Sequence, residues 1–243
     1  MPRLRSTLDR LRGRFPTAYW RARNAFALAE LYALRLRGSR RRADAYDEGF
    51  WDAHASGDWD GFARVVLSHV AARSIADVGC GQGIALGGFA SHDPTLQLRG
   101  YDYSPAALRR GRERGLSIER VDLIRLSSAR AAELARELAA VDLVLCLEVA
   151  EHLPAWRSSR LLTVLGSARA LVFSAAHPNQ GGHLHVNEQP AVYWIDRLAA
   201  RGLIRAPSDE AFRRDVAALD LPWWYARNIH LFVRSPPAAC TSR

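Results

Sequence analysis

From residue 45 onward, two spacings of apolar positions alternate along the chain. Short apolar runs predict strands at Ser74–Val78, Leu96–Tyr101, Ser117–Val121, Leu143–Leu147 and Ala170–Phe173. Stripes with helical spacing predict helices at Trp59–Ala71, Ile84–Ala90, Pro105–Arg114, Ala129–Ala139 and Ala155–Ala168. A helix near Gln189–Arg201, a short strand around Leu203–Arg205, a helix at Asp209–Leu219 and a strand at Ile229–Val233 follow. Strand and helix in alternation build an α/β domain, a parallel sheet covered on both faces. Right-handed crossovers order the first five strands 3-2-1-4-5, with a topological switch between strands one and four. Ligands bind there, outside the carboxyl ends of the strands.

Residues 1–43 read differently. From Thr17 to Gly38, arginines alternate with Tyr19, Trp20, Phe26, Leu28, Leu31, Tyr32 and Leu36, the spacing of a helix with one apolar stripe. The expected organisation is a basic helical extension over 1–43 and one α/β domain over 44–243. Packing on its own domain or on a second subunit is the favoured use of the stripe, which leaves a homodimer open. A membrane-surface helix and a nucleic-acid contact are the alternatives.

Charge sharpens that division. The net charge is +9, yet residues 1–43 hold 12 arginines against Asp9 and Glu30, while the rest holds 22 arginines against 23 acids. The catalytic region is nearly neutral, which argues against nucleic acid as its partner. All basic residues are arginine, a bias that a GC-rich genome produces by itself. No apolar run approaches the roughly 20 residues of a membrane span. The N-terminus lacks a signal-peptide core, so a cytoplasmic protein is expected. Cys80, Cys146 and Cys240 have neither metal-ligand nor disulfide-framework spacing.

The most telling segment is Ser74–Gly83, S-I-A-D-V-G-C-G-Q-G, an apolar strand that carries Asp77 and runs into Gly79, Gly81 and Gly83. Bare backbone at a strand-to-helix turn lets a ligand approach closely and face the open N–H groups of the next helix. The dinucleotide fingerprint G-x-G-x-x-G fails in both registers, its last position falling on Ile84 or Leu86. Asp102 ends the second strand at the distance where an acid reads a ribose. Asp122 ends the third. After the fourth come Glu148, Glu151 and His152, at a spacing that turns all three to one side of a helical turn. His183 and His185 lie in the loop after strand five. Two carboxylates with imidazoles suit a divalent ion in principle. Without an ion, His152 or His185 would serve as general base, with Glu151 orienting or balancing them.

These residues resemble class I S-adenosylmethionine (SAM) methyltransferases. The glycine turn is similar to the family's first motif, and E-x-x-E-H to that of ubiquinone-pathway and small-RNA 2′-O-methyltransferases. Phe173–Gly182, Asn187–Pro190 with Tyr193–Trp194, Tyr46 with Phe50–Trp51, and Trp223–Asn228 resemble a bacterial group often encoded beside polysaccharide or natural-product genes. The resemblance covers roughly residues 45–235, departing at Arg227 and His177. It implies a Rossmann-like sheet of order 3-2-1-4-5-7-6, with the last strand antiparallel. It implies SAM as cofactor, wrapped by Asp77 and the three glycines, with Asp102 at the ribose, Asp122 at the adenine, and Tyr103 and Leu123 as further cofactor contacts. Glu148 would stand near it, and Tyr46 and Trp51 would form a lid. His152, His185 and Glu151 are the expected catalytic residues, Asn187, Tyr193 and Trp194 the expected substrate contacts; no metal is assigned.

The expected reaction moves methyl to a hydroxyl or amine of a small acceptor, a sugar or secondary metabolite. Three other readings stay open: RNA 2′-O-methylation, intramolecular reaction of SAM releasing methylthioadenosine, and a degenerate fold serving as a scaffold.

Overall fold

A computed structural model of the chain describes Tyr46 and residues 48–53 and 56–236, with Ala22, Ala25 and Ala29, which are helical. The remainder of the predicted extension, and Cys240, lie outside the described residues. Two helices, α1 (Glu48–Ala53) and α2 (Trp59–His69), lead into β1 (Ser74–Val78). Then follow α3 (Ile84–His92), β2 (Gln97–Asp102), α4 (Pro105–Glu113), β3 (Ile118–Arg120), α5 (Ser128–Ala139) and β4 (Leu143–Leu147). A 3-10 turn (Ala150–His152), α6 (Ala155–Leu165), β5 (Ala170–Ser174), α7 (Ala191–Ala199) and β6 (Leu203–Arg205) come next. The chain closes with α8 (Asp209–Ala217), α9 (Trp223–Asn228) and β7 (His230–Arg234).

The sheet has the expected order, 3-2-1-4-5-7-6, and β7 runs antiparallel to both β5 and β6. Asp77 on β1 stands between Gly100 of β2 and Leu145 of β4, at the switch point. Alternate residues of the central strands enter two cores. Ala76, Val78, Val144, Cys146, Leu171 and Phe173 face one layer of helices, and Ile75, Leu143, Leu145 and Val172 the other. Burial on both faces is why these strands are continuously apolar in sequence.

Several boundaries move. Pro190 stands before the first turn of α7, which therefore starts at Ala191 rather than Gln189. α6 stops before Gly166, three residues short of its expected end. Two helices were not anticipated, α1 and α9, each only six residues long and rich in aromatics. Among the described residues, no helix is long and apolar enough to cross a membrane.

Helices α2 and α3 meet at a close backbone approach. A Cβ on Gly88 would lie 2.2 Å from the Trp59 carbonyl oxygen, whereas one on Gly87 would meet nothing within 4 Å. Adjacent glycines in one helix therefore carry opposite predictions. Gly88→Ala is expected to destabilise the fold by about 1–3 kcal/mol through overpacking. Gly87→Ala is expected to stabilise it by about 0.5–1 kcal/mol by restricting the unfolded chain. Urea unfolding of the two variants checks both signs.

Candidate active site

The carboxyl ends of β1, β2 and β4 open onto a cleft of about 560 Å³. Its floor is the turn Gly79–Gly83. Gly79 and Cys80 donate to the Tyr101 carbonyl at 2.7 and 3.1 Å, which pins the turn to β2. The three glycines have φ of 80°, 55° and 75°, a left-handed run that other residues rarely adopt. Added Cβ atoms would meet Val149 at 2.4 Å, Trp51 at 2.5 Å and Leu116 at 2.5 Å. Gly83 precedes α3 without any side-chain cap, so the first N–H groups of that helix are left for a ligand.

Asp102 holds this floor in place. One of its oxygens accepts from Gly81 N at 2.9 Å and the other from Ser104 N at 2.8 Å. Burial raises its pKa, and those backbone bonds offset part of the rise. Asp77 is 3% exposed and its Oδ1 has no hydrogen-bond partner. Burial first, and the Asp102 charge second, push its pKa up to about 7. Asp122 accepts from Ile124 N and Arg125 N, closing a turn beside Leu123 on the cleft wall.

At the far side, Glu148 leaves β4 with φ of 55°, an uncommon conformation for a side-chain-bearing residue. No local motif marks what secures it. Its backbone N–H donates to Ser174, and its carboxylate accepts from Gln180 Nε2 at 2.9 Å and Asn228 Nδ2 at 3.1 Å. Asn228 also donates to Gln180 Oε1 at 2.7 Å, closing a three-residue ring. Burial raises the Glu148 pKa against these bonds. Glu151 is fully buried with neither carboxylate oxygen partnered; burial and then the Glu148 charge hold its pKa well above the usual range.

His152 and His185 meet edge to face, with centroids 4.8 Å apart. Burial first and the neighbouring His185 second push His152 down to about 3, so it is neutral at ordinary pH. Its Nδ1 is 3.1 Å from the Tyr46 hydroxyl. Glu151, His152 and His185 bring one donor atom each within 4.8 Å of one another. With Glu151 lacking any other partner, that set would suit a divalent ion.

The opening is aromatic. Trp51 lies over Gly81 and donates from Nε1 to the Tyr46 carbonyl at 3.1 Å, while Gln82, itself buried, donates to the Trp51 carbonyl at 2.7 Å. Phe50 packs edge to face on both Tyr46 and Trp51. Across the cleft, Trp223, Trp224 and Tyr225 of α9 complete the wall. Among the described residues the wall contains Asp77, Asp102, Asp122 and Glu148 and no arginine, in a chain with 34. Such a surface attracts a cationic or neutral ligand and repels an anion.

Residues 76–172 match a protein-family model described as a methyltransferase domain. The chain carries a methyltransferase domain. SAM is the cofactor of this domain, and the cleft fits it: bare peptide where a Cβ would intrude, an unpartnered carboxylate, and acids and aromatic faces for a sulfonium.

No curated protein matches the chain in sequence. Among solved structures, the sugar N-methyltransferase KedS8 from Streptoalloteichus sp. superposes with a TM-score of 0.51 at 16% identity, over 75% of this chain and 88% of that one. CalS10, a SAM-bound amino pentose methyltransferase from Micromonospora echinaspora, gives 0.53 at 17% identity, over 73% and 92%. The small RNA methyltransferase HEN1 gives 0.51 at 18%, over 72% of this chain and only 25% of that chain. At such identities the likeness is one of fold.

Of the residues expected from sequence, the methyltransferase cleft is lined by Tyr46, Trp51, Asp77, Gly79, Gly81, Asp102, Tyr103, Asp122, Leu123 and Glu148, and by His152, His183 and His185. Gly83 and Glu151 stand just behind the wall. Asn187, Tyr193 and Trp194 are not brought to it. Asn187 is buried and donates to Ser158 Oγ at 3.2 Å. Trp194 is 2% exposed against Phe173, and Tyr193 stacks under Arg197 at 3.5 Å. These three secure α6 and α7 to the body. Gln180, Asn228 and Gln82 are the site residues that sequence reasoning passed over.

Two expectations concern the cofactor. In Asp102→Asn the new amide N–H₂ must face either Gly81 N or Ser104 N, losing one buried bond at about 1–3 kcal/mol. SAM affinity by calorimetry is expected to fall roughly tenfold or more. Asp77, raised from 3.8 to about 7, keeps its proton in the fold while the unfolded chain has lost it. Stability of the free protein therefore falls as pH rises between those values, and the loss is complete above about 7. A cationic ligand gains from the ionised form, so SAM affinity is expected to rise through pH 7, and Asp77→Asn to flatten that dependence.

Proposed function

We propose that this chain moves a methyl group from SAM to a hydroxyl or amine of a small acceptor without net negative charge, such as a sugar or a secondary metabolite. The observation that carries this reading is the cleft wall, with its four acids, its aromatic rim and no arginine among the described residues. A phosphate-bearing acceptor would have to approach those acids with no arginine on the described wall to receive it. Two structures of the same fold, KedS8 and CalS10, are named for sugar substrates, which agrees with this reading.

The cofactor supplies an electrophilic methyl when bound. The chain's own work is to hold the acceptor, exclude water and remove a proton. Tyr46, Phe50 and Trp51 cover the glycine turn. Asp77 and Asp102 order the cofactor side. His185 is the proton acceptor in this reading, because Tyr46 occupies His152 Nδ1 and burial makes His152 weakly basic. A divalent ion on Glu151, His152 and His185 is the second reading, favoured by the unpartnered Glu151 carboxylate. Trp223, 54% exposed beside Trp224, offers a flat apolar face at the mouth for a sugar ring.

Labelled methyl transfer from SAM to a panel of neutral, amine-bearing and phosphorylated sugars tests the assignment. Neutral or amine acceptors are expected to be methylated and phosphorylated ones rejected. Transfer to RNA, or release of methylthioadenosine from SAM alone, would refute it. With an acceptor in hand, Trp223→Ala is expected to raise the acceptor KM by roughly tenfold, as loss of about 1–2 kcal/mol of ring contact predicts, with SAM affinity unchanged.

A further inference from the structure

The loop between β5 and α7 contains a buried carboxylate that the proposed reaction does not use. Glu188 is 4% exposed and stands behind the cleft wall. Its Oε1 accepts from Gly181 N at 2.8 Å and lies 3.0 Å from His185 Nδ1. Its Oε2 accepts from Asn179 N at 3.2 Å. Asn179 and Gly181 both have positive φ, 78° and 76°, and this brings their N–H groups onto the one carboxylate. A side chain gripped by two main-chain donors keeps a fixed orientation, and the atom it turns to His185 is an oxygen that already serves as an acceptor.

That arrangement fixes which nitrogen of His185 carries hydrogen. Facing Oε1, Nδ1 is the donor, and a neutral imidazole has only one N–H. Nε2 is left with its lone pair. Gly182 keeps the space before Nε2 clear, since a Cβ on that residue would lie 2.2 Å from it. His185 itself lines the cleft, against His152.

We infer that Glu188 is a positioning residue, which holds His185 in the tautomer that offers a bare Nε2 to the cleft. The lone pair is what either use of His185 needs, to accept a proton from the acceptor or to bind an ion. The inference rests on the methyl-transfer reading only for what the lone pair is used for. The tautomer stands apart from it.

The deciding experiment is a ¹H–¹⁵N spectrum of the full chain labelled at histidine nitrogens, recorded without SAM or acceptor, with His185 assigned by the loss of its signals in His185→Gln. The expected wild-type pattern is a protonated Nδ1 and an unprotonated Nε2. In Glu188→Ala no acceptor faces Nδ1, so the His185 signals are expected to move toward protonated Nε2. With an active acceptor, kcat is expected to drop about ten- to a hundredfold while SAM affinity holds. A proton on Nε2 in the wild type, or an unchanged tautomer in Glu188→Ala, would each overturn the inference; a changed tautomer with an unchanged kcat would instead overturn the use of His185 as proton acceptor. Should Glu188→Ala fail to fold, the wild-type spectrum decides alone. Because no acceptor is present, a wrong acceptor class leaves this result intact.

Discussion

The Asp102 carboxylate is gripped between two backbone N–H groups, Gly81 on one side and Ser104 on the other, and the ligand end of the sheet is arranged around it. Through Gly81 it fixes a turn whose three glycines have no alternative residue, because each missing Cβ is filled by Val149, Trp51 or Leu116. Through Ser104 it sets the start of α4, whose first turn Ser104 then caps. One buried acid thus joins the floor of the cleft to the helix beside it. Its neighbour Asp77 bears the electrostatic cost, as a carboxylate raised by burial and by that adjacent charge.

Charge is segregated across the molecule. Away from the cleft, Arg130 pairs with Glu119 and Glu137, and Arg110 with Asp52. The described cleft wall has four acids and no arginine. Glu148 and Glu151 stand close enough that one raises the pKa of the other. Such crowding disfavours a second negative charge in the free protein. A positively charged ligand relieves it, so the cleft is disposed toward a cation.

The fold was largely legible because its strands are buried on both faces and its helices on one, so that continuous and periodic apolar runs separate cleanly. The glycine turn was legible for a stricter reason, since bare residues best satisfy three left-handed positions spaced two apart. Helices α1 and α9 escaped notice because six residues give less than two turns of periodicity, and their aromatics read instead as binding text. The ring of Glu148, Gln180 and Asn228 could not be read locally. Its members lie 32 and 80 residues from Glu148, and the β5–β7 pairing helps bring the later segment to the end of β4. Trp194 shows the opposite failure. Its spacing with Leu198, one helical turn on, marks a core-facing pair, yet the motif around it drew it toward the acceptor.

Tyr46 touches both ends of the cleft. Its carbonyl accepts from Trp51 and Ser104 above the glycine turn, while its hydroxyl meets His152 on the opposite wall. A single residue therefore spans the half that would grip the nucleoside and the half where the methyl would be delivered. Variation in this entering segment cannot retune one half in isolation: any change that broadens acceptor choice through Tyr46 will also alter how firmly the cofactor is covered.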